Sequence, residues 1–156
     1  MAVVAAIAAA QKSILVQAYS FTSVPIAAAL LAAFRRGLAV SLILDRSNLV
    51  EKYSELHFFR NAGLPPLVDA QHAIAHNKIM ILDSALVITG SFNFTLNAEC
   101  HNAENCLFLS DPGLAAQYTA NWQAHAAHSS AAPVLPPLHQ PATLPVYSSL
   151  LQPVPR

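Results

Sequence analysis

Residues 38–44 read LAVSLIL, a nearly unbroken apolar run bounded by Gly37 and Asp45. A strand of alternating polarity can leave one face in water. A run like this one is stable only when both faces are covered, as in a parallel sheet with helices laid over each side. The flanking sequence supplies the covers. Residues 2–13 are rich in alanine and predict a helix, and residues 14–20 (ILVQAYS) predict a strand. Residues 24–36 carry Ile26, Leu30, Ala33 and Phe34 at helical spacing, and Gly37 follows where a helix commonly stops in a left-handed residue. Residues 49–61 predict a second amphipathic helix with Gly63 as its stop, after which Pro65 and Pro66 impose an extended link. Strand–helix–strand–helix alternation predicts an α/β fold with parallel pairing.

The second half changes character. Residues 73–82 predict a strand, Asp83-Ser84 a turn and residues 85–89 a returning strand, together a hairpin. A further strand is expected over residues 103–109, and Asp111-Pro112 marks the N-cap and first position of a last helix running to about His128. Antiparallel pairs added to parallel ones make the expected sheet mixed. From residue 129 the composition shifts again. Seven of the eleven prolines lie between Pro133 and Pro155, with no Lys, Arg, Asp or Glu before Arg156. The expected organisation is therefore a domain over residues 1–128 and a Pro-rich disordered tail over residues 129–156.

Composition narrows the function classes. Of 156 residues, 54% are hydrophobic and 10% charged, enough to bury a core and too apolar for a disordered chain. No apolar run reaches the ~18 residues needed to cross a bilayer, so stable membrane insertion is not expected. The formal net charge is zero, so bulk electrostatics do not point to nucleic acid, and any anion site must be built locally. Cys100 and Cys106 read as free thiols rather than a disulfide framework. His72, His101 and Cys100 match no zinc-ligand spacing and read as polar surface, and no metal is assigned. Arg35, Arg36, Arg46 and Lys52 could steer a polyanion, but two of them sit in the last turn of a helix, where basic residues are favoured anyway.

The chemistry lies in residues 75–93, AHNKIMILDSALVITGSFN. His76 and Lys78 are two apart on a predicted strand, so imidazole and ammonium project from one face. Gly90 then offers a backbone without a side chain, over which a substrate could come close, and Ser91 and Asn93 offer donors. Lysine, hydroxyl and amide beside a histidine suit a phosphate group: the donors stabilise developing charge, and the histidine can attack phosphorus. The histidine needs an acceptor on its far nitrogen, and Glu104 on the next predicted strand is the candidate. Asp83 reads first as a turn residue.

His76-x-Lys78-x4-Asp83-x6-Gly90-Ser91-x-Asn93 resembles the HKD motif of the phospholipase D superfamily, and in particular its small bacterial Nuc-type endonucleases. AYSFTS at residues 18–23, GSFNFT at 90–95 and NAEN at 102–105 carry the same likeness, which covers residues 2–122. The resemblance implies a phospholipase D-like sandwich, a mixed sheet with helices on both faces. It implies catalytic residues His76, Lys78, Glu104 and Asp83. Within that set His76 is the nucleophile that becomes phosphohistidine, Glu104 orients it, and Asp83 mainly supports local structure. Phosphate is bound by Lys78, Ser91 and Asn93, with no metal and no cofactor. One motif per chain implies a homodimer with a shared active site. The implied function is a metal-independent endonuclease acting on DNA, with RNA as a further substrate. A phospholipase D-type lipid phosphodiesterase and a catalytically impaired, truncated family member are the alternatives. Members of this size usually begin with a strand, whereas this chain opens inside the first helix, so that strand is expected to be missing. A leader upstream of this start would make the protein periplasmic; without one it would be cytoplasmic.

Overall fold

The computed structural model describes residues 2–132. Seven strands form one mixed sheet in the order β6-β5-β4-β1-β2-β3-β7. The strands are β1 (Ser13–Ala18), β2 (Ala39–Asp45), β3 (Leu67–Asp69), β4 (Lys78–Leu82), β5 (Leu86–Gly90), β6 (Cys106–Ser110) and β7 (Ser130–Ala131). β1, β2 and β3 run parallel, and the remaining pairings are antiparallel. The helices are α1 (Ala2–Ala9), α2 (Val24–Arg35), α3 (Leu56–Asn61), α4 (Leu96–Cys100) and α5 (Pro112–His128).

Both faces of the sheet are covered, as the apolar run of β2 requires. Ile14, Val16, Ala18, Leu42, Leu44 and Met80 face the layer of α1, α2 and α3, where Ile7, Ile26, Leu30, Leu56 and Phe59 are fully buried. Ile43, Ile79, Ile81 and Val87 face α5 and pack with Ala115 and Trp122. The buried Trp122 Nε1 donates to the Val16 carbonyl at 2.9 Å and pins α5 across the middle of the sheet. The expected mixed sheet with helices on both faces is the observed architecture.

Local differences have identifiable causes. The helix expected over residues 49–61 is only α3, preceded by a 3-10 turn at Arg46–Leu49. Hydrogen bonds to distant parts of the chain outweigh the helical period there. Asn48 Nδ2 donates to the Tyr19 carbonyl at 2.7 Å, Ser54 Oγ donates to Asn48 Oδ1 at 2.9 Å, and the Glu55 N–H reaches the Phe21 carbonyl at 2.9 Å. The strand expected over residues 73–82 begins at Lys78, because the Asp45 carboxylate takes the Ala75 N–H at 2.7 Å and draws the preceding loop toward β2. The tail expected from residue 129 needs a correction at its start. Ser130 and Ala131 pair with β3, and Ala132 is buried with its N–H on the Pro66 carbonyl at 3.1 Å. The three-residue β3 has an open edge whose backbone groups this segment satisfies. The remainder of the expected tail lies outside the described residues.

Candidate active site

The C-terminal ends of β1, β2, β3 and β5 and the N-terminal end of β4 share one edge of the sheet, since Ala18 pairs Lys78 and Ile79 pairs Thr89. Brief loops at this edge can therefore gather side chains from five strands. His76 and Lys78 meet here. Lys78 opens β4, and His76 lies just beyond the ladder, which is extended by a bond from the Tyr19 N–H to the Asn77 carbonyl at 2.8 Å. The imidazole is exposed and packs on the Tyr19 ring at 4.6 Å between centroids. Tyr19 is itself fixed through its carbonyl by Asn48.

Lys78 is buried. Its Nζ donates to the His76 carbonyl at 3.0 Å and stands 5.2 Å from the centre of the Tyr19 ring. An ammonium has three donors, so two remain for a ligand. Burial pulls its pKa below the ordinary lysine value, and the negative charge of Glu104 opposes that pull. His76, Lys78, Thr89 and Gly90 line a cleft of about 400 Å³ whose other wall is α5, through Tyr118 and Asn121.

Ser91, Asn102 and Glu104 form a second cluster. Ser91 Oγ donates to Glu104 Oε2, and Asn102 Nδ2 donates to Glu104 Oε1 at 2.9 Å. These bonds, Ser91 first, hold the Glu104 carboxyl below its usual pKa; the Lys78 charge adds to them and burial opposes. Both Glu104 oxygens are thus engaged, and no hydrogen bond joins Glu104 to His76. The single proton of Ser91 goes to Glu104, while its oxygen accepts the Asn105 N–H at 3.0 Å. Ser91 holds Glu104 in this arrangement rather than offering a spare donor to phosphate. Asn93 lies in a separate groove of about 620 Å³ together with Tyr19 and Asn102, and its Oδ1 is buried without a hydrogen-bond partner.

Position assigns Asp83 the turn role expected of it and not a catalytic one, and it corrects the reading of Gly90. Asp83 does not join this cluster, because it follows the far end of β4, ~17 Å from Lys78 at the usual strand rise. Its carboxylate accepts the N–H groups of Gln11, Lys12 and Ser13 at 2.9, 2.7 and 3.0 Å. With φ of 54° at Asp83 and 57° at Ser84, it anchors the entry to β1 from a tight hairpin turn. Gly90, expected to admit substrate, instead admits the protein's own chain. At φ 148° a side chain there would collide with the Asn105 carbonyl, whose carbon is 2.9 Å from the Cβ position. The same carbonyl accepts the N–H groups of Ser91 and Phe92 at 3.0 and 3.3 Å.

A group not singled out in the sequence lies further along the same edge. His72, His125 and His128 all approach Asp69 at the end of β3. The signal was available as Asp-x2-His in residues 69–72 and His-x2-His in residues 125–128, but nothing in the sequence says that segments 53 residues apart meet.

Residues 3–126 match the family described as cardiolipin synthase, PLD-like domain. The phospholipase D of Rickettsia conorii is 46% identical over 113 residues, 72% of this chain and 56% of that protein. The mitochondrial cardiolipin hydrolase of Xenopus laevis is 31% identical over 114 residues, 73% of this chain and 54% of its own. The chain therefore spans about half the length of these curated relatives. The crystal structure of Nuc, a phospholipase D family member from Salmonella typhimurium, superposes with a TM-score of 0.81 at 35% identity, covering 85% of this chain and 90% of that one.

Proposed function

This chain belongs to the phospholipase D superfamily, and from that premise we propose that it hydrolyses phosphodiesters in nucleic acid, DNA first and RNA second, with His76 as nucleophile. The observation that carries the reading is the pairing of an exposed imidazole with a buried ammonium at the mouth of one cleft. The His76 ring nitrogen attacks phosphorus, an N–P bond forms and the bond to the leaving oxygen breaks. Lys78 and the amide of Asn93 hold the phosphoryl oxygens as charge grows on them. Water then attacks phosphorus and the N–P bond breaks, which frees the histidine. Glu104, held by Ser91 and Asn102, steadies the charge of Lys78. All the donors are organic, so no step is assigned to a metal.

The leaving oxygen needs a proton and the water needs a base. One chain brings one His76 to the cleft, so a C2 homodimer in which the partner's His76 takes these two jobs completes the scheme. A lipid phosphodiester is the second reading, favoured by the relatives that are a phospholipase D and a cardiolipin hydrolase.

One assay separates the readings. Plasmid DNA, RNA and choline- or cardiolipin-containing vesicles are offered to wild type and His76→Asn in buffer with EDTA, well below the melting temperature. Nicking of nucleic acid by wild type alone, lost on co-folding with excess His76→Asn more steeply than dilution predicts, is the expected result. Lipid cleavage with intact DNA would transfer the function to the second reading. Activity in proportion to the wild-type fraction would remove the shared site.

A further inference from the structure

The Asp69 side chain is fully buried at the end of β3, where a lone carboxylate would be costly. Three imidazoles surround it. His125 Nδ1 lies 2.8 Å from Asp69 Oδ2, His72 Nδ1 3.2 Å and His128 Nε2 3.2 Å. The ring centroids form a near-equilateral triangle with sides of 5.0, 5.3 and 5.2 Å. One candidate donor atom from each of the four residues falls within 4.8 Å of all the others.

The imidazoles can serve Asp69 as hydrogen-bond donors, and the same atoms are placed as ligands would be. Oδ2 faces the ring nitrogens of His125 and His128, and His72 Nδ1 bridges both carboxylate oxygens at 3.2 and 3.3 Å. Four donors turned toward one point are what a cation requires. A tetrahedral ion held at ~2.0–2.1 Å by each donor keeps its donors ~3.4 Å apart; here the three nitrogen–oxygen separations are 2.8, 3.2 and 3.2 Å and all four donors lie within 4.8 Å, so small side-chain rotations would close the sphere. The Gln71 N–H donates to Asp69 Oδ1 at 3.1 Å, which orients the carboxylate and turns Oδ2 toward His125 and His128. His125 and His128 are three apart on α5 and so share a helix face. His72 sits on the loop after β3 and is the most exposed ligand, at 45%.

We infer that Asp69, His72, His125 and His128 form a structural site for a divalent transition ion of the zinc class. Three imidazoles and one carboxylate suit zinc and its neighbours, whereas magnesium and calcium ask for oxygen donors. Four protein ligands close the coordination sphere, as structural sites do. The ion would clasp the C-terminal end of α5 to β3 and lies outside the His76 cleft, since β3 is three strands from β4, ~14 Å at the usual spacing. The clasp still reaches the cleft through the helix, because Asn121, on its wall, stands one turn before His125.

The untagged full chain is stripped with a chelator, dialysed and titrated with Zn²⁺, with Mg²⁺ and Ca²⁺ as controls. The expected result is one Zn²⁺ per chain and a melting temperature higher by roughly 5–10 °C at a hundredfold excess over Kd. Co²⁺ in its place should give the visible absorption of a tetrahedral site. His125→Gln/His128→Gln should lose binding, shift and colour together. His72→Gln, altered at the exposed ligand, should weaken binding at least tenfold and serves if the double variant does not fold. Absence of Zn²⁺ binding by wild type, or an undiminished shift in the variants, overturns the site. Neither outcome bears on His76 chemistry, which is read separately from turnover.

Discussion

At the residue scale, proximity in the motif separates into distinct jobs. Lys78 is the buried cation of the cleft, and Lys78→Ala should lower turnover by ~10²-fold or more while the fold survives, as for lost electrostatic donors elsewhere. Because burial lowers its pKa, the charged form is complete below the folded value and lost as pH rises through it. The alkaline limb of the rate profile should therefore lie below the ordinary lysine value of ~10.4, and Lys78→Arg, which stays charged, should move it upward. A wild-type rate in Lys78→Ala would reduce the residue to packing. Asp83 does a different job. Burial raises its pKa, but the bonds from Ser13, Gln11 and Lys12 outweigh burial and lower it overall. The folded value is then below the unfolded one, so this stabilisation is complete above ~pH 4 and fades as pH falls through the folded value. Asp83→Asn should cost ~1–3 kcal/mol at neutral pH, and the gap to wild type should narrow in acid, with kcat unchanged. A kinetic defect without a stability defect would return Asp83 to the catalytic set. The sequence singled out His76, Lys78 and Glu104 as candidate site residues, and the Glu104 carboxylate is held by Ser91 and Asn102 rather than by His76. It did not show that Ser91 spends its proton on Glu104, because hydroxyl direction depends on neighbours 13 residues away.

At the element scale, what periodicity could show, it showed. β1, β2, α2, the β4–β5 hairpin and α5 with its Asp111 cap are all legible, because each is long or carries a strong stop such as Gly37. The misreadings are short elements whose form is set from elsewhere. α3 begins late because Asn48 donates to the Tyr19 carbonyl and in turn accepts from Ser54. β3 and β7 have three and two residues and exist as a pair, so neither has a pattern of its own. That pair makes a test. A chain ending at residue 129 loses β7 and the buried Ala132, and it should melt several degrees below a chain ending at residue 132. Equal melting temperatures would mean that β7 contributes nothing to the sheet.

At the scale of the whole molecule, parallel strands and a hairpin turn their chemical ends to one edge of the sheet, where one groove holds His76 and Lys78 and another holds Tyr19 and Asn93. The fold explains why residues as distant as Tyr19, Lys78 and Glu104 form one neighbourhood; only topology joins them. The central claim is that His76 carries the phosphoryl group. A phosphorus-labelled diaryl phosphodiester tests it without assuming a nucleic acid or lipid substrate. Wild-type protein is mixed with this ester and quenched in alkali within one turnover, then digested and mapped. Label is expected on the peptide containing His76, stable in alkali and released in acid, and none on His76→Asn. Turnover that leaves no label on wild type, or a His76→Asn protein that turns over normally, would contradict it.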